Sequence, residues 1–568
     1  MKKISQVKAG TTEAWLGTFR YVMAVLCSSF VLAIYIPARG TTWTPPRGLA
    51  NPQLHVRLYK IARQFCDATY NPHSHMEKDI RTCAYYAYGL LLTGSTADRR
   101  RAEMLLKHVL AAQDTAPGSP TCGAFRWFWN APIADLNSAE FNGLTIAQIL
   151  ALVRQQKTLP MTLEKKLDNS LRLAVGAVLR RHINPGYTNI AFLSVATAAA
   201  GAKLLGMKDA GVFAQEELDA ILKLAGKGEF AEYLSPTYTG VALYGAYLAR
   251  QFAFSKRFAA TTNTAVNKLW KQVAAAYDPS TYQLGGPYLR AYGNNMLHYA
   301  APLKYFLYLG LNGHYPLNEG MQYHAWDQAG LFMICELPIH SRAAELKAAH
   351  PAWREWQARG YGPTPTRQLR QYRMKNFILG TVAFQDEWAQ KRNLVAFWRN
   401  SEPPPKNFNV GYCIDISNET LPHGFPGGRL NFYCAQRKSA ALVALVASSV
   451  IPGYPGVSTL LFNHSAKVLS RPGTTPVRIG DGSITAYVYS VSLNSGAFAV
   501  HQGAHHLRVT RSWTYSDSIG VFRVLAYLVV FRSSQDPAPK ISGIKLQALR
   551  GHVIVRAKVD GHGLAIHF

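Results

Sequence analysis

Three short stretches of the sequence bring tyrosine, asparagine and arginine to places where helices or loops are predicted to begin. Tyr187 and Asn189 follow a Pro-Gly turn in NPGYTNIAF, Tyr238 follows Ser-Pro in EYLSPTYTG, and Arg290 stands with Tyr292 in the glycine-flanked GGPYLRAYG. Elimination beside a carboxylate needs a donor that neutralises the carboxylate, a base for the neighbouring proton and an acid for the leaving oxygen. Asn or Arg can be the donor, and Tyr can be base and acid if a nearby cation lowers its pKa from about 10. The three stretches supply these residue types, and this chemistry requires no metal.

A second group of aromatic and polar residues is a candidate for binding sugar rings. FRWFWNAPIADLNSAEFNG places Trp127 and Trp129 close to Asn137 and Glu140, and aromatic faces stack on sugar rings in binding sites. Packing of a Trp-rich helix end is the alternative interpretation. Three further candidates for substrate binding lie near the predicted catalytic residues: Tyr187, Tyr233 and His298.

The sequence contains no complete set of metal ligands and no CxxC pair. GMQYHAWDQAGLF offers His324 and Asp327, but the further ligands that a metal site needs cannot be placed. We therefore predict neither a metal nor a cofactor. Six cysteines lie beyond Cys27 and none forms a CxxC pair. In an exported protein close-spaced pairs could form disulfides, with buried free thiols as the alternative. These pairs are Cys66 with Cys83 and Cys413 with Cys434.

Two patterns of apolar residues divide the chain. From about residue 52 to residue 350, apolar residues recur at three- and four-residue spacing, as in NGLTIAQILALVRQQ, which predicts a series of helices packed as hairpins. From residue 376, β-branched and aromatic runs such as SITAYVYSVSL predict an antiparallel β-sandwich. We expect a helical domain at 39–352 that carries the catalytic residues, a basic linker at 353–375 and the sandwich at 376–568.

The N-terminus and the net charge predict an exported, cationic protein. Residues 21–37 are apolar and uncharged and follow Arg20 and three lysines, so residues 1–38 are predicted to be a signal peptide or a single membrane anchor. The net charge is +29, and removing the four basic residues and one acidic residue of 1–38 leaves +26. Such a charge attracts nucleic acid, anionic membranes or acidic polysaccharide. We expect no nucleic acid, because export is predicted and no helix-turn-helix, zinc-finger or RNP pattern is present. A generally cationic surface is the alternative.

The tyrosine stretch TYTGVALYG resembles the tyrosine motif of chondroitin AC and hyaluronate lyases. Asn189 upstream and Arg290 downstream stand in the same order as the asparagine and arginine of those enzymes. Together with helices followed by strands, these residues make the chain resemble the chondroitin lyase and heparinase II/III superfamily of polysaccharide lyases. The resemblance implies an incomplete α/α toroid followed by an antiparallel β-sandwich. It also implies that Tyr238 is base and acid, Asn189 neutralises the substrate carboxylate, and Arg290 favours the tyrosinate.

The sequence departs from this family just before the tyrosine. Those lyases carry a histidine there, whereas GKGEFAEYLSPTY has Glu229 and Glu232. Tyr238 alone could move the proton on one face of the sugar, or a second histidine could assist it, with His182, His298 and the histidines of the sandwich as candidates. Glu232 and Tyr292 complete the predicted catalytic set.

The first functional hypothesis is therefore a lyase that cleaves a 4-linked uronic acid in an acidic glycan by β-elimination. The second is a glycoside hydrolase with paired carboxylates, in which Glu232 is the acid and the base is Asp135, Glu140 or Asp327. The third is a glycan-binding envelope protein without activity. A polar cluster at the start of the sandwich faces either the catalytic cleft or solvent: Gln390, Lys391 and Arg392.

Overall fold

The computed structural model of the protein describes most of the chain from Trp43 to Phe568. The predicted export segment at 21–37 and the candidate residues His298, His324 and Asp327 lie outside the described residues. The described ranges are 43–157, 159–226, 228–297, 302–317, 328–359, 366–400, 410–419, 430–447, 457–463, 465–470, 475–491, 498–512, 518–519, 522–549 and 552–568.

Helices form the first part of the described chain, as the apolar spacing predicts. The bounds are α1 (Pro52–Thr69), α2 (Ile80–Leu91), α3 (Thr96–Ala111), α4 (Ser138–Gln156), α5 (Met161–Arg181), α6 (Thr188–Leu205), α7 (Lys208–Ala225), α8 (Tyr238–Gln251), α9 (Lys256–Ala276), α10 (Pro302–Gly310), α11 (Leu331–Ile334) and α12 (Ala343–Leu346).

Successive helices pair as hairpins, and one helix of each pair is buried among its neighbours. α2, α4, α6, α8 and α10 pack side by side in this order, while α3, α5, α7 and α9 each pack on the preceding helix from outside. Small residues allow the inner helices to approach closely, since a Cβ added at Gly245 of α8 would stand 2.9 Å from the backbone of Phe192 in α6. Within the described residues α6 is long and apolar enough to cross a bilayer, but it is mostly buried and is a core helix.

The inner helices begin at the same end of the helical region, which we call the mouth. The Ile80 N–H at the start of α2 donates to the Trp127 carbonyl before α4, at 3.0 Å. The Asn189 N–H in the first turn of α6 reaches Glu232 just before α8 at 2.8 Å. The loops before these helices therefore meet, although they are far apart in sequence.

Antiparallel strands form the rest of the chain, after the short pair β1 (Tyr277–Asp278) and β2 (Gln283–Leu284) in the helical region. The strands are β3 (Trp353–Arg359), β4 (Thr366–Met374), β5 (Phe377–Val382), β6 (Phe384–Asp386), β7 (Leu394–Arg399), β8 (Val410–Asp415), β9 (Leu430–Arg437), β10 (Ala440–Ala447), β11 (Val457–Asn463), β12 (Lys467–Val468), β13 (Val477–Asp481), β14 (Ile484–Val491), β15 (Ala499–Gln502), β16 (His506–Ser512), β17 (Ser518–Ile519), β18 (Phe522–Ser533), β19 (Ile541–Leu549), β20 (His552–Val559) and β21 (His562–His567).

Two large sheets face each other and a smaller sheet covers one of them. The front sheet has the order β15-β16-β11-β8-β7-β5-β4-β3 and the back sheet β12-β13-β14-β18-β10-β9-β6, with β17 beside β18. Phe377 of the front sheet packs on Phe531 of the back sheet with ring centroids 5.2 Å apart. The third sheet, β19-β20-β21, buries apolar residues on the outer face of β10 and β18. β10 is therefore buried on both faces, which explains its continuous apolar run AALVALVA. The predicted fold class, a helical region followed by an antiparallel β-sandwich, is confirmed.

The predicted linker at 353–375 is wrong, because this stretch forms strands β3 and β4 of the front sheet. Exposed residues alternate with less exposed ones along β3, buried residues alternate with partly buried ones along most of β4, and Arg370 pairs across the two strands with Glu355 at 3.0 Å. Arg367 and Gln371 take buried positions of β4, and further arginines take partly buried positions, so a strand pair looked like a charged connection. Trp43–Phe568 forms one compact unit, and the division between 39–352 and 376–568 stays a prediction.

The six cysteines among the described residues are free thiols. Cys66, Cys83, Cys122, Cys335, Cys413 and Cys434 are all buried free thiols. The sequence left close-spaced disulfides and buried free thiols as alternatives. The structure has the free thiols.

Candidate active site

Tyr238 is the first residue of α8 and lies at the mouth. Its N–H donates to the Ser235 Oγ at 2.9 Å, and this hydroxyl donates to the Arg290 carbonyl at 2.5 Å, so one serine joins the start of the helix to the loop before α10. The Tyr238 hydroxyl is 2.6 Å from the Tyr292 hydroxyl and accepts from Arg290 Nη2 at 3.1 Å. The guanidinium carbon of Arg290 also lies 4.1 Å from the centre of the Tyr238 ring.

Glu232 connects this tyrosine and arginine to Asn189. One carboxylate oxygen accepts from Arg290 Nη1 at 3.0 Å, and the other accepts from the backbone N–H and the Nδ2 of Asn189 at 2.8 and 2.6 Å. The five predicted catalytic residues, Asn189, Glu232, Tyr238, Arg290 and Tyr292, therefore form one continuous network.

Asn189 occupies a different place in this network from the one that the resemblance implies. Its side chain is fully buried and its Nδ2 is bonded to Glu232, while its Oδ1 has no hydrogen-bond partner in the described structure. An amide that neutralises a substrate carboxylate must present its N–H groups to that carboxylate. In this arrangement Asn189 supports Glu232, and Arg290 is the charged donor that contacts the Tyr238 hydroxyl.

The protonation of Tyr238 is governed by opposing influences. Burial raises the pKa of Tyr238 well above 10, the charge of Arg290 lowers it, and Tyr292 and Glu232 raise it further. Burial lowers the pKa of Arg290, but Glu232 and Tyr238 outweigh this effect and leave the pKa of Arg290 raised. The resting site therefore pairs a neutral tyrosine with a charged arginine, and the cation offsets only part of the upward shift of the tyrosine pKa.

Tyr292 and Tyr187 form the accessible side of the network. Tyr292 is 41% exposed, and the half-buried Tyr187 ring lies 5.3 Å from the guanidinium carbon of Arg290. Asn137 donates to the Tyr187 hydroxyl at 3.3 Å and accepts from Arg181 at 2.8 Å. Arg181 helps to line a neighbouring cavity of about 440 Å³ between the loop at 118–124 and helices α4 and α5. Polar side chains thus lead from the network to an open space beside it.

Two of the predicted substrate-binding residues are buried, and burial corrects the prediction for Tyr233, whereas Glu140 also lines the neighbouring cavity. Tyr233 is 1% exposed and donates its hydroxyl to Gln385 at 3.2 Å, so it joins the helical region to the back sheet and cannot reach a sugar. Glu140 is fully buried, pairs with Arg181 at 3.3 Å and accepts from Ser194, and burial raises the pKa of Glu140 to about 7.

Trp127 and Trp129 are partly exposed near the mouth. The Arg81 guanidinium lies 4.8 Å from the Trp127 ring, and the Trp127 Nε1 donates to Asp135 at 3.3 Å. Trp129 packs edge-on against His108. Their binding of sugar stays a prediction.

Ion pairs occupy the place where the lyases that the sequence resembles carry a histidine. Glu229 is bonded to Arg354 of β3 at 2.8 Å, and Glu232 is bonded to Arg290. Of the histidines proposed as partners, His182 is exposed and lies 3.6 Å from Glu217, and His298 is outside the described residues. Across the described ranges no three His, Cys, Asp or Glu side chains gather in a way that could hold a metal ion.

Two contacts to Arg290 come from the loop between β6 and β7. Gln390 accepts from Arg290 Nε at 3.0 Å, and the Trp388 ring lies 5.1 Å from the guanidinium carbon. The sequence placed Gln390 in a polar cluster but provided no signal that it meets a residue 100 positions earlier. Its neighbours Lys391 and Arg392 face neither solvent nor the cleft, because they are buried in ion pairs with Asp386 and Glu419.

The fold and the site together describe a protein with a helical region, a three-sheet β region and a Tyr–Arg–Glu network at the helical mouth. A family model described as "Domain of unknown function (DUF8769)" matches residues 57–334. No curated protein matches the chain in sequence.

Solved structures with a similar arrangement have low sequence identity. The chain is similar to heparinase III, with 9% identity, 87% of this chain and 84% of that chain covered, and a TM-score of 0.43. It is similar to the heparan sulfate lyase HepC from Pedobacter heparinus, with 10% identity, 90% and 89% coverage and a TM-score of 0.30. A glycosyl hydrolase of family 88 from Bacteroides vulgatus matches with 12% identity, 50% and 98% coverage and a TM-score of 0.34. Heparinases belong to the class that the sequence resembles. Because all three TM-scores are below 0.5, the functional proposals below depend on the site alone.

Proposed function

We propose that the protein is a polysaccharide lyase that cleaves a uronic-acid-containing acidic glycan by β-elimination, with Tyr238 as base and acid. The observation that carries this proposal is the Tyr238 hydroxyl, held between the Arg290 guanidinium at 3.1 Å and the Tyr292 hydroxyl at 2.6 Å. A phenol beside a fixed cation and a second, exposed phenol can accept and return a proton without a metal.

The reaction can be written with these groups. Arg290 donates hydrogen bonds to the uronate carboxylate, which makes the C5 proton more acidic. The Tyr238 oxygen takes that proton, and the electron pair of the C–H bond forms the C4–C5 double bond. The bond between C4 and the glycosidic oxygen breaks, and this oxygen takes the proton from Tyr238. The products are an unsaturated sugar and a new chain end, and the enzyme is restored.

Tyr292 has a role in preparing the base. The raised pKa of Tyr238 means that its proton must be removed before it can act as a base, and Arg290 is the charge that favours the resulting tyrosinate. The exposed Tyr292 hydroxyl is positioned to pass this proton to solvent. We therefore expect activity to rise toward alkaline pH.

Glu232 and Asn189 act in this proposal by positioning Arg290. Glu232 is 5% exposed and both of its oxygens are occupied, one by Arg290 and one by Asn189. A carboxylate held in this way is a poor general acid, so the hydrolase hypothesis with Glu232 as the acid is less well supported than the lyase.

The expected setting follows from the sequence. The apolar segment at 21–37 predicts export, so we propose action outside the membrane, in the periplasm or the medium, with an N-terminal anchor if the segment is not removed. The excess of basic residues suits an acidic polysaccharide as substrate. We propose no nucleic acid, metal or cofactor as partner.

The proposal is tested by incubating the exported form with alginate, glucuronan, hyaluronan, chondroitin and heparan sulfate. A lyase produces ultraviolet absorbance from the C4–C5 double bond together with new reducing ends, whereas a hydrolase produces reducing ends alone. Binding without either product from any of these glycans would favour the non-catalytic alternative.

Tyr238→Phe removes one hydroxyl and should lower kcat about 10²–10⁴-fold. Tyr244→Phe makes the same chemical change six positions further along α8 and should leave kcat within a factor of two. Full activity of Tyr238→Phe would show that the base is another residue.

A further inference from the structure

The guanidinium of Arg290 is held by both regions of the chain at once. Each of its three nitrogens has a different partner: Nη1 donates to Glu232 and Nη2 to Tyr238, both of the helical region, while Nε donates to Gln390 of the β region at 3.0 Å. The rings of Tyr238 and Trp388 lie 4.1 and 5.1 Å from its central carbon. Since a guanidinium is planar and its donors are fixed relative to each other, a bond at Nε sets the direction of both Nη groups.

The backbone of Arg290 is joined to the same loop. Tyr288 and Arg392 exchange two backbone hydrogen bonds of 2.9 Å, and the Ala291 N–H donates to the Gln390 carbonyl at 2.9 Å. The chain on both sides of Arg290 therefore pairs with the chain around Gln390, like two short strands. This backbone pairing sets the position of the Arg290 side chain relative to the Gln390 side chain.

The buried amides of Asn418 and Asn393 hold the loop that carries Trp388 and Gln390. Asn418 Nδ2 lies within 3.0 Å of the Glu387 carboxylate and of the carbonyls of Trp388 and Lys391. Asn393 donates to the other oxygen of Glu387 at 2.7 Å. These three anchoring side chains are each at most 2% exposed. Moving the loop would leave buried polar groups without partners, which is costly.

We propose that the Trp388–Gln390 segment of the β region belongs to the active site, with Gln390 as a positioning residue that aims Arg290 at the Tyr238 hydroxyl. Trp388 covers one face of the guanidinium and reduces its contact with water, which strengthens the effect of its charge on the tyrosine. The inference rests on the proposed function, because it assigns these two residues to the same reaction.

Gln390→Leu removes the acceptor for Arg290 Nε and keeps a side chain of similar size. We expect kcat to fall about tenfold, as for the loss of one hydrogen bond to a charged group. Because Arg290 is then less well aligned to stabilise the tyrosinate, the rise of activity with pH should move to higher pH. A purely structural role would lower the amount of folded enzyme without moving the pH profile. Gln357→Leu, on an exposed position of β3, is the matched control and should change neither.

A second measurement does not depend on activity. In protein labelled with ¹⁵N-arginine, the Arg290 Nε–H signal is identified by its loss in Arg290→Lys. Its hydrogen exchange should accelerate at least tenfold in Gln390→Leu, and stay slow in Gln390→Glu, which keeps an acceptor at the same length.

The possible outcomes separate the two proposals. If Gln390→Leu matches the wild type in kcat, pH profile and Nε–H exchange, while Tyr238→Phe is inactive, the role of Gln390 is refuted and the proposed function stands. If Tyr238→Phe stays active, the catalytic assignment fails. Faster Nε–H exchange in Gln390→Leu would then still show that Gln390 holds Arg290.

Discussion

Two buried glutamates, one at the helical mouth and one in the β region, are held by different kinds of partner. Glu232 accepts from the Arg290 guanidinium and from Asn189. Glu387 accepts from the neutral amides of Asn393 and Asn418. Burial, with a smaller contribution from Asp415, raises the pKa of Glu387 to about 8, against the opposing effects of Lys391 and the two amides. The comparison indicates two uses of a buried glutamate. Glu232 pairs with a charge and orients Arg290, whereas Glu387 binds neutral amides and holds the loop that carries Trp388 and Gln390.

The largest expected effect comes from removing the cation at the mouth. Arg290→Met keeps an unbranched side chain but leaves Glu232 buried without its ion-pair partner, and we expect a loss of about 3–5 kcal/mol in the free energy of unfolding. Activity should fall below detection, because Tyr238 loses both its donor and its stabilising charge. Denaturant unfolding and the absorbance assay measure the two effects.

Arg290→Lys is the matched variant for this prediction. It keeps the charge but cannot bond Glu232, Tyr238 and Gln390 together, so it should recover much of the stability and little of the activity. Equal activity of the lysine and arginine proteins would show that charge alone matters at this position.

An intermediate effect on the free energy of unfolding is expected from Glu387. Glu387 binds more protons in the folded state than in the unfolded state between its ordinary pKa of 4.5 and its raised pKa of about 8. Stability therefore falls as pH rises through this window, by up to about 1.4 kcal/mol per pH unit for one proton. Glu387→Gln should remove this slope, because the amide does not titrate.

The check is the free energy of unfolding measured by urea from pH 5 to pH 8 for both proteins. Other buried carboxyls contribute the same slope to both, so the difference between the two curves isolates Glu387. A constant difference across the whole range would mean that Glu387 is ionised in the folded protein.

The smallest effect is expected at the exposed edge of the network. Tyr292→Phe removes the hydroxyl 2.6 Å from Tyr238 and leaves the Arg290 bonds intact. We expect about a tenfold lower kcat, the low end of the range for a proton-transfer group, with little change in stability. Because the Tyr292 hydroxyl raises the pKa of Tyr238, its loss should move the rise of activity to lower pH, opposite to the shift expected for Gln390→Leu. A shift in the same direction for both variants would contradict the roles assigned to them.

The parts of the site that lie at helix starts could be predicted from the sequence. Pro-Gly and Ser-Pro turns mark where α6 and α8 begin, and a series of helical hairpins brings such starts to one end, so Asn189 and Tyr238 were expected near each other. The same reasoning failed for Tyr233. Its position in the chain is close to Tyr238, but its side chain points into the contact with the back sheet, and no local pattern distinguishes the two directions.

The sequence left open whether the cluster around Gln390 faces the cleft, and it did not predict the contact of Trp388 and Gln390 with Arg290. Trp388 and Gln390 reach Arg290 because the front and back sheets dock on the helices, and this docking depends on contacts between distant residues such as Tyr288 and Arg392. The strands β3 and β4 were missed because Arg367 and Gln371 occupy buried positions of β4, which hides the alternation of apolar and polar residues. Local periodicity thus predicted most helices and strands, but it did not predict the contacts between the helical region and the sheets.

The pairing of Tyr288 and Ala291 with the loop at 390–392 has a consequence for how the protein is made. A nascent chain that has emerged only as far as α10 contains every helix start of the mouth, but lacks the acceptor and the aromatic cover that hold Arg290. The site is completed only when translation has passed residue 418, whose amide secures that loop. Truncated products that end within the helical region would therefore be inactive, whatever their content of folded helix.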